Sequence, residues 1–340
     1  MMAAKSVTVG GISVELSNTG KVLFPDDGIT KGDLVEYYRG IAGRMLPYFR
    51  DRPLTMTRYP DGIKGPRIVQ KNVPDYFPGW VTRTEVKKEG GTLRHVLADK
   101  PATLVYLANQ ACIELHVFLS RTDRLDHPDQ LVVDLDPPDS GEFGQARRCA
   151  LWLRSLFADE LGLTSYVKTT GGRGLHVHVP LDRREGFDEV RTFARDAASV
   201  LAARHPDVIT VEQRKGKRGD RVYADVMRDA YAQTVVGPYV VRGRPGALVA
   251  TPLHWDEVED PGLAPDRFSI RTIASRLDDT PDPWAGMSRR RYGLAGPRRR
   301  LAQIKAAAGG GAAGAGGAAG ADGAAGGGGA AGGGGAAGRR

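Results

Sequence analysis

The sequence predicts an α+β fold, a mixed and largely antiparallel sheet flanked by helices. Stretches of helical apolar period alternate with short strand-like runs at 131–136, 165–170, 175–180 and 221–226. The second and third runs are joined only by Gly171-Gly172-Arg173-Gly174, which reads as a hairpin and hence an antiparallel pair. Hairpins interspersed with helices argue against a doubly wound parallel sheet.

Each helix carries its own start or stop signal. Thr30 with Asp33 resembles a capping box, ahead of Leu34, Tyr37, Tyr38, Ile41 and Met45 on one face. Asp99 and Pro101 open a second helix, which Leu104, Leu107, Ala108, Ala111 and Leu115 carry onward in period. A third spans 145–161 and stops at Gly162, suited to a left-handed C-cap. A fourth, 188–204, sets Val190, Phe193, Ala194, Ala197 and Leu201 on one face. From Ala306 the chain is almost wholly Gly and Ala, a composition that buries too little apolar area to offset ordering, so a disordered tail is expected. The expected division is one domain over 1–290, a basic extension over 291–305 and the tail over 306–340.

Bulk properties narrow the class. Of 340 residues, 41% are hydrophobic and 26% charged, as in ordinary globular proteins. The net charge is +8, and the tail holds only Asp322, Arg339 and Arg340 of the charged residues. The positive balance therefore belongs to the folded part and favours polyanionic partners. Cys112 and Cys149, both within apolar helical patterns, make neither a disulfide framework nor a zinc site and read as buried thiols. No apolar run reaches about 18 residues and no signal peptide opens the chain, so a cytoplasmic protein with no membrane partner is expected.

Within "LVVDLDPPD", 131–139, two carboxylates interrupt an apolar strand. Asp134 and Asp136 are two apart and so share a strand face. Exposed strand-end acids before Pro137-Pro138 would also fit. A third acid, Asp225 in "RVYADV", interrupts another short apolar strand. Three carboxylates on neighbouring strands would hold hard divalent cations, as two-metal phosphoryl transfer requires. "KTTGGRGLHVHVP", 168–180, offers the opposite charge: glycines for close anion approach, donors from Lys168, Thr170 and Arg173, and His176 with His178 on one face. A solvated hairpin tip is the plain alternative. Arg242 and Arg244 are placed on one face if extended, two forks for phosphate. "EQRKGKRGDR", 212–221, is a basic loop that suits either a nucleic-acid backbone or solvent.

Taken in order, "VVDLDPP", "KTTGGRGLHVHVPL", "VYADV" and "YVVRGRPGALVATPLHWDEV" resemble the polymerase domain of bacterial DNA ligase D, of the archaeo-eukaryotic primase superfamily. "KVLFPDDGITKGDLVEYY" and "LANQACIELHVFLSR" extend the resemblance to roughly residues 10–285. It implies a primase-like fold and addition of NTPs or dNTPs to primer 3′ ends at DNA breaks, gaps or overhangs, with Mn²⁺ preferred or Mg²⁺. By position it implies Asp134, Asp136 and Asp225 as the metal acids and His116 as a further active-site residue. Thr170 (usually serine in the family), His176, Arg242 and Arg244 match the triphosphate site, and Lys21 with Lys31 match a 5′-phosphate site. Two positions depart from the family: Thr57 stands where lysine is common, and Ile68 and Val69 where aromatic rings are usual; Tyr76, Phe77 and Trp80 nearby read as packing residues. "RYPDG" puts Tyr59 where a ligase would carry its nucleophilic lysine. A separate ATP-dependent ligase and a Ku-type end-binding protein are the implied partners, at the bacterial nucleoid.

Overall fold

A computed structural model of the chain describes residues 5–138 and 143–313. It begins with the hairpin β1 (Lys5–Val9) and β2 (Ile12–Leu16), then the small pair β3 (Val22–Phe24) and β4 (Ile29–Thr30). Helix α1 (Lys31–Phe49) follows with the expected capping box: Thr30 Oγ1 accepts from the Asp33 N–H, and Asp33 Oδ2 accepts from the Thr30 N–H. Strands β5 (Pro53–Arg58), β6 (Ile68–Gln70), β7 (Arg83–Lys88) and β8 (Gly91–Leu97) lead to helix α2 (Pro101–Asn109).

The second helix is shorter than its periodicity predicts. It stops at Asn109; Ala111 takes a left-handed φ of 55°, and Cys112 and Leu115 belong to strand β9 (Cys112–Phe118). A fully buried helix and a fully buried strand are both apolar all round, so Leu107 to Leu115 fits either period. Asp99 is not its cap either, for its carboxylate accepts from the Thr82 hydroxyl at 2.6 Å. Cys112 and Cys149 are free and buried, the first in a strand rather than a helix.

Strand β10 (Gln130–Asp136) carries the first two acids. Helix α3 (Phe143–Ser155) continues into a π-helical turn, Leu156–Glu160, and ends with Gly162 at a φ of 67°, the left-handed stop its sequence called for. The expected hairpin is present as β11 (Tyr166–Thr169) and β12 (Leu175–Pro180). Then come α4 (Phe187–Arg204), β13 (Ile209–Thr210), β14 (Val222–Asp225), β15 (Thr234–Val236) and β16 (Pro252–Leu253). Helices α5 (Trp255–Glu259), α6 (Ile273–Asp279) and α7 (Ala295–Ala313) complete the described chain.

Two sheets face each other. The first runs β13-β14-β10-β12-β11-β16, antiparallel throughout except for β13 beside β14. The second runs β15-β9-β5-β8-β7, with β6 added to β5. The α+β reading stands. Helices α3 and α4 pack on β10, so the face bearing Asp134 is left for the second sheet. The basic stretch 291–305 packs on the same body: Tyr292 bridges to Leu181, Leu294 and Leu301 are buried, and α7 lies on α4. Helix α7 enters the Gly/Ala tract as far as Ala313, and the expected disordered remainder, 314–340, lies outside the described residues.

Candidate active site

Strand register assembles the charged groups in a row. Lys168 on β11 pairs with His176 on β12, His176 with Asp134 on β10, and Asp134 with Asp225 on β14. Antiparallel pairing keeps directly opposed side chains on one face, so four strands deliver them side by side. Asp134 and His176 line a cleft of about 330 Å³ with Glu114 and His116 of β9 and Thr55 and Thr57 of β5. Arg67, Arg228 and Arg242 enter it from irregular segments. A larger cavity of about 520 Å³ adjoins it, lined by Arg52, Asp129, His178 and Trp284 among others, and of the residues singled out from sequence only His178 reaches it.

The acids hold more negative charge than their protein partners offset. Burial raises the Asp134 pKa to about 6, against the pull of Lys168, Arg228 and Arg242. Burial, then the charge of Asp134, raises Asp136. Burial likewise raises Asp225, although the Met227 N–H donates to its Oδ1 at 2.7 Å. An all-carboxylate donor set that shares a strand face fits a hard divalent cation. The side chains are not drawn into a ready ligand shell, however: among the described residues no three His, Cys, Asp or Glu side chains form one. Asp134 Oδ2 lies instead 3.4 Å from His176 Nε2.

The hairpin tip meets the arginines. Thr170 Oγ1 is held at its own turn, accepting from the Gly174 N–H at 3.3 Å. Arg242 Nη1 donates to the Thr170 carbonyl at 2.6 Å. Gly171 has a φ of 64°, and a Cβ there would stand 2.6 Å from Arg242 Cγ, so only glycine admits the arginine stem. Gly172 lies close to Arg244 Nη1 and Thr170 Oγ1, at 3.2 and 3.4 Å from a notional Cβ. Arg173 and Asp136 line an adjoining depression with Lys215 and Arg218 of the basic loop.

Lys168 is placed differently from expectation. It is fully buried at the end of the row, donates to the Thr169 carbonyl at 3.4 Å, and does not line the cleft. Burial lowers its pKa to about 7 in spite of Asp134. Its side chain is covered on that sheet face, so its influence on the acids is electrostatic. His176 is also buried, and burial, then Lys168 and Arg242, hold its pKa well below the usual value; it is neutral, and its Nδ1 has no partner among the described residues.

Lys21 and Lys31 form a second group. The Lys31 N–H donates to the Lys21 carbonyl at 2.8 Å. Lys21 Nζ pairs with Asp61 at 2.9 Å, and Lys31 Nζ reaches Ser17 Oγ at 3.4 Å. Burial and then the Lys21 charge lower the Lys31 pKa. Nearby, Ile68 and Val69 are exposed on β6, and Val69 reaches the cleft. Tyr76 is no packing residue: it is 60% exposed, its hydroxyl accepting from Arg58 at 3.0 Å, while Phe77 is buried. Tyr59 is a buried ring against Gly243, where a Cβ would stand 2.3 Å from its Cζ.

A family model described as the LigD primase-polymerase domain matches residues 30–284. The chain belongs to this family. It is accordingly a metal-dependent nucleotidyltransferase of the primase-polymerase class. It is 32% identical to the bifunctional non-homologous end joining protein LigD of Bacillus subtilis, over 78% of this chain and 42% of that protein. It is 33% identical to the multifunctional LigD of Mycolicibacterium smegmatis, over 79% of this chain and 35% of that one. The chain thus spans less than half the length of these relatives. Among solved structures it resembles the polymerase domain of Mycobacterium tuberculosis Ligase D in complex with DNA, with a TM-score of 0.76 and 30% identity, over 82% of this chain and 99% of that one.

Three charged residues lining the cleft of this LigD-type polymerase escaped the sequence reading. Arg228 follows Asp225 by three in a turn with no period to mark it. Arg67 brings a cation into the cleft that Thr57, buried at its wall, does not supply. Glu114 had a usable signal, since it stands two residues before His116 and so shares its strand face.

Proposed function

We propose that this protein adds ribo- or deoxyribonucleotides to primer 3′ ends at DNA breaks and gaps during non-homologous end joining. The single observation that supports this most is the row His176–Asp134–Asp225, whose first two members open onto a cleft edged by Arg242 and Arg228. In this reading Asp134, Asp136 and Asp225 hold two divalent cations, Mn²⁺ in preference to Mg²⁺; bound there, they would activate the attacking 3′-oxygen and offset charge on the leaving phosphates. Arg242, Arg244 and the glycine turn at 171–174 grip the triphosphate, whose negative charge the arginine forks match. His176, kept neutral by burial, contributes a hydrogen bond to it. His116 lies on the opposite wall.

Lys21 and Lys31 take the downstream 5′-phosphate, whose charge would relieve the repulsion between them. The basic loop at 212–221 and Arg173 run beside Asp136 and accompany the nucleic-acid backbone. DNA ends and NTPs or dNTPs are the substrates, and a Ku-type end-binding protein and an ATP-dependent ligase are the partners this chemistry calls for. Among the described residues no helix is long and apolar enough to cross a membrane.

Primer extension on gapped duplexes, with each nucleotide class under Mn²⁺ and Mg²⁺, tests the proposal. Extension of the primer supports it. DNA binding without extension would make the protein an end-binding scaffold, and products from primer-free template would make it a primase.

A further inference from the structure

Glu114 is a buried carboxylate in the middle of a phosphate-binding cleft, where a negative charge ought to repel the substrate. Its contacts explain its presence. Oε1 accepts from Arg242 Nε at 3.2 Å and from the Gly243 N–H at 2.9 Å. Oε2 accepts from His116 Nε2 at 3.0 Å. The Tyr59 hydroxyl stands 3.5 Å from Oε1. Each oxygen thus serves a different residue of the cleft, and the three contacted segments meet nowhere in sequence.

The carboxylate also joins the two sheets. Glu114 belongs to β9 of the second sheet. Arg242 and Gly243 belong to a segment tied to the first, through the Thr169 N–H to the Thr251 carbonyl and Arg242 Nη1 to the Thr170 carbonyl. Gly243 lets that segment approach, because any side chain would strike the Tyr59 ring.

From this geometry we infer that Glu114 is the positioning residue of the nucleotide site: one carboxylate aims the Arg242 guanidinium and sets which nitrogen of His116 carries hydrogen. The inference rests on the polymerase reading above. With Nε and Nη1 of Arg242 committed to Glu114 and Thr170, the guanidinium plane is fixed and its remaining edge is what an incoming phosphate meets. A carboxylate can only accept, so His116 Nε2 must carry hydrogen, and Nδ1 is the nitrogen left for substrate. Burial alone would raise the Glu114 pKa, yet His116, Arg242 and the Gly243 N–H together hold it at about 2, so the clasp stays charged across the working pH range. Positive charge offsets it locally, and the phosphate does not meet a bare anion.

The test uses the full chain and the near-isosteric Glu114→Gln, with the melting temperature measured alongside. A glutamine keeps one acceptor but presents N–H groups on its other arm, so it cannot serve Arg242, Gly243 and His116 together. The expected result is an apparent KM for the incoming nucleotide raised about tenfold or more, the loss expected of a charge-assisted contact, with primer-DNA affinity unchanged. Equal KM values within a factor of two in a folded variant would overturn the inference. Should the variant not fold, ¹⁵N spectra of wild-type His116 decide: hydrogen on Nε2 supports the clasp, and a bare Nε2 refutes it. Wild-type extension is the control that separates the two readings, because a wild type that extends nothing sinks the polymerase proposal while nucleotide titration and His116 spectra still judge Glu114.

Discussion

Two carboxylates face one another across the cleft and differ in what surrounds them. On the first sheet, Asp134 is pushed up to about 6, by burial that Lys168 and the arginines only partly offset. On the second, Glu114 is held at about 2, because His116, Arg242 and a backbone N–H more than offset its burial. Burial raises both. The difference is hydrogen-bonded partners: Glu114 has a full set, and Asp134 has His176 at 3.4 Å. A carboxylate whose valence is satisfied by protein serves architecture; one left short of positive charge is suited to a cation that arrives from solution.

The sharpest way to break the comparison is to delete the unsatisfied side. Asp134→Ala or Asp136→Ala should reduce nucleotide addition by at least about 100-fold, since a lost metal-binding carboxylate removes several kcal/mol of transition-state stabilisation. DNA binding should persist. Extension within tenfold of wild type in a primer assay would reassign both acids to structure.

Smaller effects should follow from the triphosphate contacts. His176→Ala and Arg242→Ala should each raise the nucleotide KM about tenfold while leaving the affinity for primer DNA unaltered, because charge-assisted contacts to a phosphate act on the nucleotide alone. Steady-state kinetics beside a DNA titration read the two separately. Parallel losses in both would mean that these residues hold the fold rather than the substrate.

Acidity tests the comparison without chemistry. The folded-state pKa of Asp134 lies above its ordinary 3.8, so the folded protein binds that proton more tightly and metal-free stability falls as pH rises from about 4 to 6. Glu114 has the opposite sign, its pKa lying below the ordinary 4.5; its contribution is present above that pH and is lost as pH falls toward 2. Asp134→Asn should therefore raise the metal-free melting temperature at pH 7 by about 2–4 °C, with the gain disappearing near pH 4. A variant that melts lower at pH 7 would show that Asp134 already has its counter-charge from the protein.

The smallest expected change lies away from the cleft. Lys21→Ala with Lys31→Ala should reduce the preference for a 5′-phosphorylated gap over a 5′-OH gap by a few-fold at low salt, and salt itself should erase that preference in the wild type. Identical titration curves for the two gaps at low salt would remove the phosphate site. Because Lys21 is already paired with exposed Asp61, the contact must be exchanged rather than newly made, which limits its size.

Much of this was readable from residues alone. The parity of Asp134 and Asp136 follows from strand geometry, and the capping box at Thr30, the stop at Gly162 and the hairpin across Gly171–Gly174 each follow from local backbone rules. Such features involve a few consecutive residues, and covalent geometry carries them. What sequence alone missed is of another kind. The end of α2 at Asn109 turned on Ala111 adopting a left-handed conformation inside an apolar run that suits helix and strand equally. Lys168 looked like a phosphate ligand, but tertiary packing buries its side chain completely. The clasp of Glu114 with Arg242 spans 128 positions, and no local period encodes a partner that distant. Local rules decide which residues share a strand face; only the docking of one sheet on the other decides which of those faces is buried, which charge finds a partner, and which is left to bind a cation.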